Sequence, residues 1–172
     1  SYPERVRFEI KEQDIDSYKA AADFLNLNNT DVVCLQHEFG IFGGDAGGYI
    51  LALLRQLKMP IITTLHTVLK NPSARQRRVM DELLALSDYV VVMTQKAVDI
   101  LQTVNKIPGS KIRLVPHGIP DVSFIDPNFY KDQYGVEGKT ALLTFGLLAP
   151  HKGVEVVLRA LPKVIKEYPN AV

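Results

Sequence analysis

The sequence predicts an α/β fold: a doubly wound parallel sheet with helices on its faces. Three observations carry that expectation. Short apolar runs of strand length alternate with segments whose apolar residues recur at helical spacing, which builds βαβ units with right-handed crossovers. The runs are nearly continuous, as expected where helices cover both faces of a sheet. The chain has 172 residues, 47% apolar and 23% charged, a globular composition long enough for one domain or one domain plus part of another.

Taken in order, a first strand-like stretch lies between Glu4 and Glu12. Tyr18, Ala21, Ala22 and Leu25 then fall at i, i+3, i+4 and i+7, the stripe of a helix that Asp14 can cap. Val32–Leu35 reads as a strand, and Ile50, Leu53, Leu54 and Leu57 as the next helical stripe. Ile61–Leu65 is a strand. The following helix opens after Pro72 with Ser73 and Gln76, three residues apart, the signature of a capping box. Tyr89–Met93 is a strand, Ala97, Ile100, Leu101 and Val104 mark a helix, and Ile112–Val115 is a further strand. These β-branched and aliphatic runs suit a pleated, buried surface.

The rhythm breaks between Pro116 and Thr140, which hold three prolines and three glycines. A connection of that length inside one compact domain is unusual, so a linker or crossover is expected there, with a short helix around Asn128–Tyr134. Leu142–Phe145 and Val154–Glu167 then read as a new strand and helix. One strand and one helix cannot close a core of their own. The division expected is a domain over 1–115, a crossover over 116–139 and the start of a second domain over 140–172. With no initiator Met before Ser1, the pattern predicts a piece of a longer protein.

Charge and cysteine content exclude several classes. Twenty Lys and Arg against nineteen Asp and Glu leave +1, without the basic footprint of a nucleic-acid binder. The single cysteine, Cys34, rules out an internal disulfide framework and suits a reducing, cytoplasmic setting. No apolar stretch approaches the roughly 18 residues of a membrane helix. Arg75, Arg77 and Arg78 form the one basic cluster, read as a solvated helix face.

Ligands of open α/β sheets bind beyond the carboxyl ends of the strands. All four histidines are expected there: His37, His66, His117 and His151 each follow a predicted strand. Gln36–Gly48 places four glycines in six residues (Gly43, Gly44, Gly47 and Gly48) between a strand and a helix, where backbone amides can approach a ligand. It lacks the spacing of a P-loop or a dinucleotide turn. His37 and Glu38 are adjacent, so at most one of them faces a given pocket; Glu38 reads equally as a cap. Asp45 with His37, His66 and His117 would be the set for a metal, but spacings this wide are not diagnostic. Gly146–Gly153 runs from a strand into a helix, and Lys152 adds a cation to the positive end of that helix, a seat for phosphate.

At these residues the chain resembles the glycosyltransferases of the GT-B architecture, built from two Rossmann-like domains, and within them family 4. The resemblance rests on Thr64–Thr67, Leu114–Ile119 and above all Thr144–Gly153, with Ala160-Leu161-Pro162 and Glu167–Ala171 as its usual sequel. It covers most of residues 31–172. It implies a Rossmann-like doubly wound sheet, most of the N-terminal, acceptor-side domain, and the first strand and helix of the donor-side domain. It implies transfer of a sugar, of hexosyl type, from a nucleotide-sugar donor to an unidentified glycan, lipid or small-molecule acceptor. It implies further that configuration is retained and that no metal or other cofactor is needed. His66 matches the histidine beside the transferred sugar. Gly146 and Lys152, with His117 and Gly118 at the crossover, fall to donor binding. His37, Glu38, Gly43 and Gly44 fall to the acceptor side of the cleft.

Two departures stand out. Leu147 occupies the position where the family usually carries a second phosphate-binding Arg. The family's paired glutamates, seven residues apart, have no counterpart, because Glu4 and Glu12 lie in the wrong context and read as surface charges. Any peripheral membrane association would be a property of the longer protein, which this chain does not test. The chain alone is therefore expected to be inactive. A sugar-nucleotide epimerase of the same architecture, a non-catalytic sugar- or nucleotide-binding module and a metal-dependent hydrolase are the alternatives.

Overall fold

The computed structural model describes residues 2–146, 148–149 and 152–172. They divide into two compact units, Ser1–Gly118 and Ile119–Val172.

In the first unit, Arg5–Lys11 runs without a ladder, in place of the strand expected between Glu4 and Glu12. Its side chains still anchor it: Phe8 meets Phe24 at 5.4 Å, and Ile10 packs against the core. Helix α1 spans Ile15–Leu27, opened by the Asp14 carboxylate accepting from the Asp16 amide. Strand β1 is Val33–His37, and helix α2 is Ile50–Leu54. Strand β2 is Ile61–Leu65, and α3 is Ala74–Leu86 with the Ser73–Gln76 capping box formed in both directions. Strand β3 (Tyr89–Val92), helix α4 (Gln95–Thr103, capped by Thr94) and strand β4 (Ile112–Leu114) complete it.

The four strands are all parallel and lie in the order β1-β2-β3-β4. This is the α/β, Rossmann-like sheet that the alternating pattern predicts. Each crossover advances in one direction, so the right-handedness that parallel connections follow puts α2, α3 and α4 on one face. Helix α1 joins that layer by packing against α2. Burial follows the pleat. Leu35, His37, Ile61, Thr63, Leu65, Val90, Val92 and Ile112 are buried under the helices. Cys34, Gln36, Thr64, Val91 and Arg113, one residue out of phase, are not. The expectation of helices on both faces is therefore not met among the described residues: apolar content alone does not reveal which face is packed.

The core is closed by Tyr18, Ala22, Ile50, Leu54, Leu83, Leu84 and Leu101, each at most 1% exposed. Tyr18 also does polar work: its hydroxyl donates to the Glu12 carbonyl and accepts from the Gly43 amide, both at 3.0 Å. The buried Thr63 hydroxyl pairs with Ser87 at 2.7 Å, so neither is left unsatisfied.

In the second unit, α5 spans Pro127–Lys131, with Asp126 as cap and Pro at the first turn, where a missing N–H costs nothing. A 3-10 turn over Asp132–Tyr134 follows, close to the short helix expected there. Helix α6 is Val154–Glu167. The strand expected at Leu142–Phe145 does not form. Thr140 pairs with Ala171 as an isolated parallel bridge, and the last ladder bond is Leu142 N–H to the Val172 carbonyl at 2.7 Å. A strand exists only through its neighbour's backbone groups. Beyond Leu142 no described residue supplies them, and Leu143 and Phe145 stand 87% and 95% exposed.

Candidate active site

The carboxyl edge of the sheet collects the polar groups of the first unit. His66 is the first residue past β2, exposed, with its backbone N–H donating to the His37 carbonyl at 3.1 Å. Its imidazole Nε2 lies 2.8 Å from Gln36 Oε1. His117 sits three residues beyond β4, also exposed, and Gly118 beside it has open space where a Cβ would project. Two cavities meet here. One, of about 280 Å³, is lined by Gln36, Thr64, His66 and Met93 together with His117 and Gly118. The other, of about 360 Å³, is lined by His66, Thr67, Met93, Thr94 and Lys96. His66 and Met93 line both, so they stand at the partition. Of the predicted set, His66, His117 and Gly118 are thus brought together.

His37 is placed differently from its expectation. It is the last residue of β1, facing the helices, and it is fully buried. Phe42 stacks on its ring at 5.8 Å and Phe39 meets it edge-on at 5.1 Å. Neither ring nitrogen has a hydrogen-bond partner among the described residues. Burial pushes its pKa from 6.5 down to about 4; the Glu38 carboxylate pulls the other way, and His66 adds to the lowering. A strand that runs two residues past the end of the apolar run carries His37 inside.

Glu38 is a cap. One carboxylate oxygen accepts from the Phe39 amide at 3.1 Å and the other from the Thr67 hydroxyl at 2.7 Å. It thereby ties the residue after β1 to the residue after His66.

The glycine-rich segment is packed, not open. Gly43 is buried, its amide held by Tyr18, and a Cβ there would strike the Glu12 carbonyl. Gly44 takes φ +77°, and a Cβ would run into the Tyr49 ring. Both glycines are required by close approach of protein to protein. Asp45 pairs with Arg75 at 3.0 Å. Among the described residues no three His, Cys, Asp or Glu side chains gather as a metal set, so Asp45, His37, His66 and His117 do not converge.

In the second unit, Gly146 adopts φ +128° and Gly153 φ +68°, both with open space around a would-be Cβ. Gly153 caps α6, and Lys152 is exposed one residue before it, at the positive end of the helix dipole. Leu147 and His151 lie outside the described residues.

Among the lining residues that sequence reasoning missed are Gln36, Thr67, which partners Glu38, and Lys96. Gln36 had a usable signal. It is one residue out of phase with Leu35 and His37, so it projects to the open face of β1. Its neighbour across β2 is Thr64.

No curated protein matches the chain in sequence. Among solved structures, a glycosyltransferase from Rickettsia africae ESF-5 superposes with a TM-score of 0.62 at 18% identity. The match covers 92% of this chain and 43% of that one, so the chain spans less than half the length of that relative. At this identity the likeness speaks to fold. The family model of Glycosyltransferase Family 4 matches residues 4–122, well over half of the chain and all of its parallel sheet. The chain therefore belongs to glycosyltransferase family 4.

Proposed function

We propose that this chain serves a glycosyltransferase that moves a hexosyl-type sugar from a nucleotide-sugar donor to a glycan, lipid or small-molecule acceptor. The observation that carries the reading is His66 at the carboxyl edge of β2, shared by two cavities in a family 4 domain. Residues 1–115 supply the acceptor-side domain, 116–139 the crossover and 140–172 the start of the donor-side domain. His66 contacts the transferred sugar. Lys152, Gly146, His117 and Gly118 serve the donor, and the cap of Glu38 on Thr67 braces the acceptor side.

The chemistry follows from charge. As the glycosidic bond to the nucleoside diphosphate breaks, negative charge builds on the departing phosphate oxygens. A lysine and a helix N-terminus aimed at that charge stabilise it more than they stabilise the ground state. Lys152 and the start of α6 are the residues suited to that role, in place of a metal. Retention of configuration and a cytoplasmic site of action belong to the same reading. No described helix is long and apolar enough to cross a membrane.

The test is a panel of nucleotide sugars offered to the enzyme at full family length, with released nucleoside diphosphate as readout. His66→Ala and Lys152→Ala should each lower kcat/KM by about 10²-fold or more, with unchanged melting because both side chains are exposed. Full activity in both variants overturns the assignment. The 172-residue chain alone should show no transfer.

A further inference from the structure

We propose that Gln36 is a positioning residue that holds the His66 imidazole in its Nε2–H form and leaves Nδ1 as the acceptor presented to a substrate hydroxyl. The role for substrate rests on the glycosyltransferase reading; the tautomer itself does not.

The backbone brings the two residues together before any side chain contributes. Strands β1 and β2 are parallel with Gln36 opposite Thr64. Both project to the face away from the helices, because Leu35, His37, Thr63 and Leu65 occupy the buried phase. His66 follows two residues after Thr64, and its own amide is pinned to the His37 carbonyl at 3.1 Å. Its ring therefore leaves the sheet beside the Gln36 amide.

The hydrogen bonds then fix the polarity. Gln36 Nε2 donates to the Thr64 hydroxyl oxygen at 3.4 Å, which turns the amide so that Oε1 faces the imidazole. Oε1 lies 2.8 Å from His66 Nε2. An amide oxygen can only accept, so the proton of a neutral ring must sit on Nε2. Nδ1 then carries the lone pair, and it has no protein partner among the described residues. A ring nitrogen of this kind accepts from a hydroxyl, the group in which a sugar is richest. Holding one tautomer and one ring orientation in advance removes a cost that would otherwise fall on substrate binding or on the reaction itself. Gln36 lines the cavity that also holds His117, so its substitution acts on this side of the partition.

The ring nitrogens of His66 report the tautomer directly in long-range proton–nitrogen NMR spectra of the 172-residue chain at pH 8. The wild-type chain should show the Nε2–H pattern. Gln36→Leu removes the acceptor and should shift the tautomer ratio towards Nδ1–H by roughly 2- to 10-fold, the range a net neutral hydrogen bond supports. Gln36→Glu keeps an acceptor and should restore the wild-type pattern. An Nδ1–H pattern in the wild-type chain, or an unchanged ratio in Gln36→Leu, overturns the proposal without recourse to turnover.

In the full-length enzyme, Gln36→Leu should lower kcat by up to the factor of the tautomer shift, because only the Nε2–H fraction in its held orientation is productive, with a smaller change in KM. If His66→Ala abolishes transfer while Gln36→Leu is fully active, the positioning role falls and the glycosyltransferase reading stands. If no nucleotide sugar is turned over, that reading falls, and the NMR pattern alone decides the role of Gln36.

Discussion

Ser1–Gly118 and Ile119–Val172 carry the same kind of pattern, yet among the described residues only the first builds a sheet and a core. Its four strands share backbone hydrogen bonds along a continuous ladder, and its helices bury their stripes on one face of that ladder. In the second unit the apolar stripe of α6 lies open: Val157 is 50% and Leu158 61% exposed. Ala171 is the one buried hydrophobic residue among those described there. The difference is one of partners. A helical stripe is a local property of sequence, whereas burial and strand pairing depend on residues far along the chain.

The sharpest way to break this comparison is a matched pair of truncations. Leu83 on α3 is fully buried, so Leu83→Ala removes packed volume and should cost about 2–5 kcal/mol of the first unit's stability. Leu158→Ala on α6 removes the same atoms from an exposed site and should stay within about 0.5 kcal/mol. Urea unfolding of both variants measures the contrast. Equal losses would mean that α6 buries its stripe in solution.

An acid titration gives a slightly smaller effect, confined to the first unit. Burial lowers the His37 pKa from 6.5 to about 4. Between those values the unfolded chain binds a proton that the folded chain refuses. The stability that neutral His37 contributes is therefore complete above about pH 6.5 and is lost progressively as pH falls towards 4. The loss is on the order of 3 kcal/mol. His37→Phe should flatten the slope of unfolding free energy against pH in that window. An identical slope in wild type and variant would show that His37 titrates normally.

His37 also marks how far the sequence could be read. The parallel α/β class, the Asp14 cap, the Ser73–Gln76 box and the position of His66 past β2 all follow from local signals. Those signals need only a few neighbouring residues. The failures are non-local. Strand β1 runs on through His37 because the paired strand β2 runs to Leu65, its partner in register. Leu142–Phe145 has strand composition and almost no ladder. The open face of the sheet could not be told from the packed one in runs of Val and Ile. Gln36 became part of the site only once β1 and β2 were set in register, since 30 residues separate it from His66.

Glycine supplies the smallest contrast between the units, and it separates two reasons for the same residue. At Gly43 the obstacle is a neighbour: a Cβ would strike the Glu12 carbonyl and come within 2.9 Å of the Tyr49 ring. Gly43→Ala must move backbone that Tyr18 holds through two hydrogen bonds, and should cost about 1–3 kcal/mol. At Gly153 the space is open and the obstacle is conformation alone, φ +68° at the start of α6. An L-residue pays about 1–2 kcal/mol for that left-handed geometry, and in an exposed helix end the backbone can relax to escape part of it. Gly153→Ala should thus fall at or below about 1 kcal/mol, read as a small loss of helical circular dichroism. Gly43→Ala should instead lower the unfolding midpoint of the whole first unit. A reversal of that order would mean that the glycine segment can yield where the structure packs it against Glu12 and Tyr49.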